Sequence, residues 1–192
     1  MEITLVEETT DALKEYGRVP IAFRVESRLR LDPVGNGLGG LLLAEEEVQP
    51  PYLKDYDSER GEVPARWREQ WDIAHWGVLS AFGGGRRVGC TVIAYDTEQV
   101  RGLEGRKDLA ALWDIRVDPG FRRQGIGSKL FERAVEWARS RGCRWFKVET
   151  QNINVPACRF YAKQGCMLGA IHRYAYPDRP EEAQLVWWKR IA

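Results

Sequence analysis

The sequence predicts an α/β protein in which helices flank one central, twisted, mixed β-sheet. Strand-like apolar patterns occur early and late in the chain, and helical patterns lie only between residues 126 and 165. In the middle of the chain, strands and helices alternate, which is typical of helices packed on the faces of a sheet. The 192 residues are 44% hydrophobic and 30% charged, as expected for one folded domain covering residues 1–192.

Strand patterns dominate the first 120 residues. Apolar side chains alternate in IAFRVESRLRL (21–31), and WGVLSAF (76–82) and RRVGCTVIAY (86–95) flank three glycines, which predicts a hairpin. The segment ALWDIRV (111–117) predicts a further strand, ended by Asp-Pro-Gly. Residues 45–64 are polar and contain prolines, so we expect them to be irregular.

Two helices are predicted in the second half of the chain. From Ser128 to Arg141 an apolar residue recurs every fourth position, and Gly142 follows as a C-terminal cap. The second helix covers residues 154–165, where Asn154 is a suitable N-cap and Pro156 suits the first turn. A strand at 144–150 separates them, and CMLGAIHRYAY and AQLVWWKR predict two final strands.

Composition argues against several classes of protein. No apolar run approaches the roughly 18 residues of a membrane span, and the first residues do not resemble a signal peptide, so we expect a cytoplasmic protein with no membrane partner. Four cysteines without a CxxC pair and only two histidines predict free thiols and no metal site. The net charge of +1 argues against nucleic-acid binding. Residues 1–63 carry −7 and residues 64–192 carry +8, which is either chance surface variation or an arrangement for a cationic substrate and an anionic cofactor.

The stretch GFRRQGIGSKL (120–130) predicts an anion-binding loop at the start of a helix. A helix N-terminus presents unsatisfied N–H groups and partial positive charge, and the glycines at 125 and 127 let a ligand approach those groups. A Walker A loop would need lysine where Ile126 stands, and a dinucleotide-binding fingerprint would need glycine where Leu130 stands. The pattern that fits is [RQ]xxGxG, over residues 122–127.

This motif, with ETQNINVPACRFYAKQGC (149–166), resembles the GNAT N-acetyltransferase superfamily over about residues 110–170. PPYLKDYD (50–57), VETQNINVPACRFYAKQGC and the strand after Glu181-Glu182-Ala183 are similar to its streptothricin acetyltransferase branch, although the acidic run after PYLK is sparser here. The resemblance implies the GNAT fold, acetyl-CoA as acetyl donor, and direct transfer to a primary amine of a small cationic molecule, without an acyl-enzyme.

The resemblance also assigns roles to residues. Tyr161 matches the tyrosine that protonates the leaving thiolate, and the Ile115 N–H matches the oxyanion donor. From their strand positions, Asp114, next to Ile115, or Glu149, at the end of the next strand, is the candidate base, although some family members use an ordered water chain instead. Asp114 and Arg116 share a side of their strand, so they could instead form a surface ion pair. The residues expected to bind the cofactor are Ile115, Arg116, Val117, Arg122, Arg123, Gln124, Gly125, Ile126, Gly127, Ser128, Asn154 and Tyr161.

Other interpretations stay open. The acceptor could be a protein or peptide amine, or the chain could be a non-catalytic acyl-CoA-binding regulatory module. Trp67, Trp71 and Trp76 could wall an acceptor site, although core packing is the expected account for at least two of them. Edges of the last two strands could pair in a homodimer, since dimers are common in this family.

Overall fold

The computed structural model describes residues 2–58 and 63–192. In these residues the helices are α1 (Leu13–Tyr16), α2 (Trp67–Gln70), α3 (Ile126–Ser140) and α4 (Val155–Lys163). The strands are β1 (Ile3–Glu8), β2 (Phe23–Pro33), β3 (Leu41–Lys54), β4 (Gly77–Gly83), β5 (Arg86–Ala94), β6 (Leu109–Val117), β7 (Trp145–Gln151), β8 (Met167–His172) and β9 (Gln184–Arg190).

Seven of the strands form one mixed sheet in the order β1-β4-β5-β6-β7-β9-β8, and β2 and β3 pair as a separate ribbon. β6 and β7 run parallel, whereas β1 with β4, β4 with β5, β5 with β6, and β8 with β9 are antiparallel. The predicted α/β class with a mixed sheet is therefore confirmed, as are the β4–β5 hairpin and the two long helices.

The chain divides into two compact units, each built from separate segments. The first comprises the residues up to Ala22, Asp55–Val148 and Lys189–Ala192, and the second comprises Phe23–Lys54 and Glu149–Trp188.

Helix α3 packs closely on strands β4 and β5 of the first unit. Its predicted apolar stripe is buried, and Ile126 and Leu130 are 1% and 0% exposed. Two glycines permit the close approach: a Cβ on Gly77 would lie 2.5 Å from the Trp137 ring, and a Cβ on Gly89 would lie 3.0 Å from Ile126. The glycines in these strands therefore set the distance at which α3, and the loop before it, sits above the sheet.

In the second unit, β2 and β3 form a long antiparallel ribbon, so the prediction of an irregular segment from residue 45 was wrong up to Lys54. Its polar residues belong to a ribbon whose faces are half exposed, and Glu46 pairs with Arg28 at 2.7 Å and Arg30 at 3.0 Å. The register breaks where β3 passes its two prolines, which cannot donate to the ladder. Residues 59–62, also within that prediction, lie outside the described residues.

The packing of α3 yields a stability prediction. Gly77→Ala should destabilise the protein by about 1–3 kcal/mol, because its new methyl group would overlap the Trp137 ring and push α3 off the sheet. Thermal unfolding followed by circular dichroism measures the effect. Gly85→Ala is the control, because a Cβ there meets no atom within 4 Å, and at a φ of +77° it carries only backbone strain. Equal stability of the Gly77→Ala variant and the wild type would contradict this account of the packing.

Candidate active site

The final residues of β6 present main-chain N–H groups to the side away from β5. The N–H of Asp118 donates to the Val88 carbonyl of the β5 side at 2.9 Å. Because N–H groups alternate between the two edges of a strand, the Arg116 N–H also faces β5, and the N–H groups of Ile115 and Val117 face away. The Val117 carbonyl points the same way, since it accepts from Arg122 Nε at 3.1 Å.

On that side, β6 has no paired strand beyond Leu112 in the described part of the chain. The parallel pairing of β6 with β7 covers Leu109–Leu112 against Trp145–Val148. The register of β6 with β5 then shifts, so that Trp113 is an extra residue between the pairs Leu112–Ile93 and Asp114–Val92. The bulge lies where β6 leaves β7, and in the described residues no strand pairs with the Ile115 and Val117 N–H groups.

The glycine loop also offers unengaged donors. Helix α3 begins at Ile126 without a side-chain cap, after Gly125 in a left-handed conformation with φ of +82°. Among residues 2–58 and 63–192, none accepts a hydrogen bond from the backbone N–H of Gly125, Ile126 or Gly127. A Cβ on Gly125 would meet no atom within 4 Å, so the space beside these groups is open on the protein side. This is the geometry expected of an anion cradle.

Side chains of the glycine loop form hydrogen bonds to other residues of the first unit. The Arg122 guanidinium donates to the Val117 carbonyl and, at 3.4 Å, to the Ala22 carbonyl. Asp118 accepts from the Gly120 N–H at 2.9 Å and pairs with Arg86. Gln124 donates to the Gly120 carbonyl at 3.5 Å. In this structure the Arg122 side chain therefore fixes the turn, and the unengaged loop donors are main-chain groups.

A buried polar network lies beside the amide-bearing end of β6. The Arg116 side chain is 1% exposed and binds Asp114, whose side chain is 6% exposed, at 2.8 Å, and Asp57 at 2.6 Å. Tyr16 donates its hydroxyl to Asp114. The predicted pairing of Asp114 with Arg116 is confirmed, but its placement on the surface was wrong, because α1 and the 55–58 turn cover it.

The electrostatics of this network are set by burial and by opposite charge. Burial alone would lower the pKa of Arg116, but the charge of Asp114 and the hydrogen bonds to Asp114 and Asp57 raise it. Burial, followed by the charge of Asp114, raises the pKa of Tyr16 well above its usual range, so this phenol remains a donor. Both Asp114 oxygens accept from Arg116, and a role as base would require this network to open. The Arg116 side chain is thus occupied within the protein, and its main-chain N–H faces β5.

Three of the predicted site residues lie in the second unit. Tyr161 on α4 is 6% exposed and packs edge-to-face on Phe160. Asn154 caps α4, because its side chain accepts from the Ala157 N–H at 3.2 Å. Glu149 is exposed and accepts from the Tyr176 hydroxyl at 2.9 Å. Sequence reasoning did not find Tyr176 as a partner of Glu149, since 27 residues separate them.

The tryptophans form an aromatic cluster rather than an open wall. Trp67 and Trp76 are 2% and 6% exposed, and Trp76 donates to Thr97 at 2.8 Å. Trp71 is half buried, and its ring lies 4.8 Å from that of Trp113. Core packing is thus confirmed for Trp67 and Trp76. All three rings lie within 6.3 Å of the ring of Trp113, the extra residue of the β6 bulge.

Other site chemistries find no support in residues 2–58 and 63–192. No group of three or more His, Cys, Asp or Glu side chains there is placed to hold a metal ion. None of the helices described combines the length and apolarity needed to cross a membrane. Burial raises the pKa of Cys158 to about 12, so this thiol stays protonated at neutral pH and is a poor nucleophile.

The β6 strand bulges at Trp113, has left β7 after Leu112, and is followed by a glycine loop at the N-terminus of α3. Residues 41–166 match the acetyltransferase (GNAT) family, and the chain belongs to that family. The resemblance drawn from the loop motif is therefore confirmed.

Curated relatives include streptothricin acetyltransferases. The chain is 36% identical over 84 residues to streptothricin acetyltransferase A of Bacillus subtilis strain 168, covering 43% of this chain and 49% of the relative. It is 24% identical over 163 residues to the Streptomyces lavendulae streptothricin acetyltransferase, covering 85% and 80%. The match therefore spans about half the length of the first of these relatives and four fifths of the second.

Solved structures share the whole fold. A nourseothricin acetyltransferase superimposes with a TM-score of 0.77 at 22% identity, over 100% of both chains. A Bacillus anthracis str. Ames protein, solved in complex with acetyl coenzyme A, superimposes with a TM-score of 0.74 at 24% identity, over 98% of this chain and 99% of that one. At these identities the likeness establishes the fold.

The open space beside Gly125 makes its role testable. Gly125→Ala should weaken acetyl-CoA binding at least about tenfold, because the methyl group would occupy the space through which a phosphate reaches the loop amides. Isothermal titration calorimetry measures the dissociation constant. Gly105→Ala is a matched control, since Gly105 also has positive φ (+65°) and no neighbour within 4 Å of a Cβ. Equal loss of affinity in both variants would show that backbone strain, and not the cradle, causes it.

Proposed function

We propose that this protein is an acetyl-CoA-dependent N-acetyltransferase that transfers the acetyl group directly to a primary amine of a small cationic acceptor of the streptothricin type. The observation that carries the proposal is the set of unengaged main-chain donors on one side of β6 and at the loop. The Ile115 and Val117 N–H groups face away from β5, and those of Gly125 to Gly127 have no acceptor in the described chain.

These donors suit the two ends of the coenzyme. The N–H groups of Gly125, Ile126 and Gly127 would take the diphosphate, with the partial positive charge of the α3 N-terminus adding to their attraction. Lys129 and Arg123 add formal charge near the loop. The Val117 N–H and carbonyl would pair with the amides of the pantetheine arm, as a further strand pairs along an open edge.

The Ile115 N–H would meet the developing charge of the reaction. When an amine adds to a thioester carbonyl, negative charge grows on the carbonyl oxygen, and a fixed main-chain donor there lowers the barrier. Ile115 is held by the pairing of its neighbours with β5 and by the network at Arg116. Removing one such donor from an enzyme typically costs 10²–10³ in turnover.

Proton transfer is assigned to one carboxylate and one phenol. An unperturbed amine with a pKa near 10.4 costs roughly 4–5 kcal/mol to deprotonate at pH 7, so a carboxylate acting directly or through water assists. We assign this role to Glu149, whose carboxylate is exposed, in preference to Asp114, whose oxygens are occupied. Tyr161 is assigned as the acid that returns a proton to the departing thiolate.

Support for a cationic acceptor comes from the relatives and from charge. The relatives named above are streptothricin acetyltransferases, and residues 1–63 carry a balance of −7. Not all of this acidity is offered to a ligand, since Asp57 is bound by Arg116. We also assign the protein to the cytoplasm, with which its four buried free cysteines are compatible.

A peptide acceptor is the second candidate. The chain is 35% identical over 78 residues to the Escherichia coli K12 [ribosomal protein bS18]-alanine N-acetyltransferase, covering 40% of this chain and 53% of the relative. A non-catalytic acyl-CoA-binding module is the third, and it would bind acetyl-CoA without releasing coenzyme A in the presence of any amine.

A coenzyme A release assay separates the three candidates. Purified protein with acetyl-CoA should release free thiol with streptothricin, and not with polyamines, aminoglycosides or an amino-terminal alanine peptide. Release with the peptide alone would move the assignment to protein acetylation. Binding of acetyl-CoA without release across the panel would leave the non-catalytic module.

The acid is tested by removing one hydroxyl. Tyr161→Phe should lower kcat by about 10²-fold and leave the acetyl-CoA dissociation constant within about twofold, because general acid catalysis acts on the departing thiolate and not on binding. Tyr174→Phe, on a side chain that is 76% exposed, is the control. Unchanged turnover in the Tyr161→Phe variant would remove Tyr161 from the mechanism.

A further inference from the structure

We propose that Asp57 is a positioning residue that acts through the Arg116 side chain to hold the amide-bearing end of β6. Asp57 lies in the short turn that follows the β2–β3 ribbon, in the PYLKDYD segment, and it belongs to the same compact unit as β6. The inference rests on the proposed function, because the amides that it positions are those assigned to acetyl transfer.

The Arg116 guanidinium is fully used by its neighbours. Its Nε donates to Asp114 at 2.9 Å, and its Nη2 donates to Asp114 at 2.8 Å and to Asp57 at 2.9 Å. Its Nη1 donates to Asp57 at 2.6 Å and to the Val19 carbonyl at 3.2 Å. A guanidinium has five N–H donors in a planar fork, so each of the five has an acceptor.

This fork joins three segments that are distant in sequence. Asp57 lies in the 55–58 turn, and Asp114 and Arg116 lie in β6. Tyr16, at the end of α1, donates its hydroxyl to Asp114, and its ring centre lies 5.3 Å from Arg116 Cζ. Because Ile115 lies between Asp114 and Arg116, a shift of these two residues would move the Ile115 N–H.

Within this network, Asp57 is the carboxylate that binds Arg116 from outside β6. Its position is set by its own turn, since the Asp57 N–H donates to Asp55 at 3.1 Å. Its side chain is 23% exposed and both oxygens bind Arg116. Bidentate pairing to a guanidinium is directional, so Asp57 fixes the orientation of Arg116 and not only its charge. The acidity at this position therefore serves the β6 strand and not the acceptor amine.

The test replaces Asp57 by its neutral isostere. Asp57→Asn keeps the shape of the side chain but removes the charge and one of the two acceptor oxygens. We expect kcat to fall about tenfold, because a small displacement of the Ile115 N–H reduces its stabilisation of the transition state. KM for acetyl-CoA should stay within about twofold, because the loop amides still bind the coenzyme. Tyr16→Phe loosens the network from its other end and should lower kcat in the same sense, by a smaller factor. Glu69→Gln, at the exposed Arg66 pair, is the control and should change neither constant.

Amide hydrogen exchange provides a readout that does not depend on turnover. Asp57→Asn should accelerate exchange of the Asp118 N–H, which bonds to Val88, and Glu69→Gln should not. If kcat and this exchange rate both match those of the wild type, the proposal is overturned. A fall in kcat that the Glu69→Gln control shares would also overturn it. If the wild-type protein releases no coenzyme A with any amine, the proposed function fails, and the exchange result alone decides whether Asp57 holds β6.

Discussion

The direction of the main-chain amides at the end of β6 is the constraint on which the account of this protein depends. One hydrogen bond, from Asp118 to the Val88 carbonyl, fixes which N–H groups face β5. Alternation along the strand then leaves those of Ile115 and Val117 facing the other way. Pairing with β7 has already ended at Leu112, so these donors have no strand to satisfy them in the described chain.

Packing and buried charge keep that strand in place from two sides. On one face, α3 approaches the sheet closely because Gly77 and Gly89 carry no side chain, and this contact also sets the height of the glycine loop. On the other, Arg116 holds two carboxylates and a backbone carbonyl around one buried guanidinium. A buried charge is tolerated only when it is paired and hydrogen-bonded, so the arrangement is rigid. Donors fixed before the reaction need no reorganisation during it.

Much of the fold could be predicted from regular sequence patterns, whereas contacts between residues distant in sequence could not. The α3 stripe and the β4–β5 hairpin were found because burial follows the period of a helix or a strand. β3 was missed because both of its faces are partly exposed and charged, so alternation is weak. In the site, the loop motif was evident from glycine spacing. The pairing of Asp57 with Arg116 crosses 59 residues, and the bulge at Trp113 appears only in the register with β5.

Nuclear magnetic resonance of the ¹⁵N-labelled protein titrated with acetyl-CoA tests the central claim most directly. The account predicts saturable shifts of the Ile115, Val117, Gly125 and Gly127 amide resonances, with one common dissociation constant, because one ligand would contact both the strand and the loop. Saturable shifts confined to other residues, or no shift of these four amides at a coenzyme concentration that saturates the protein, would contradict it.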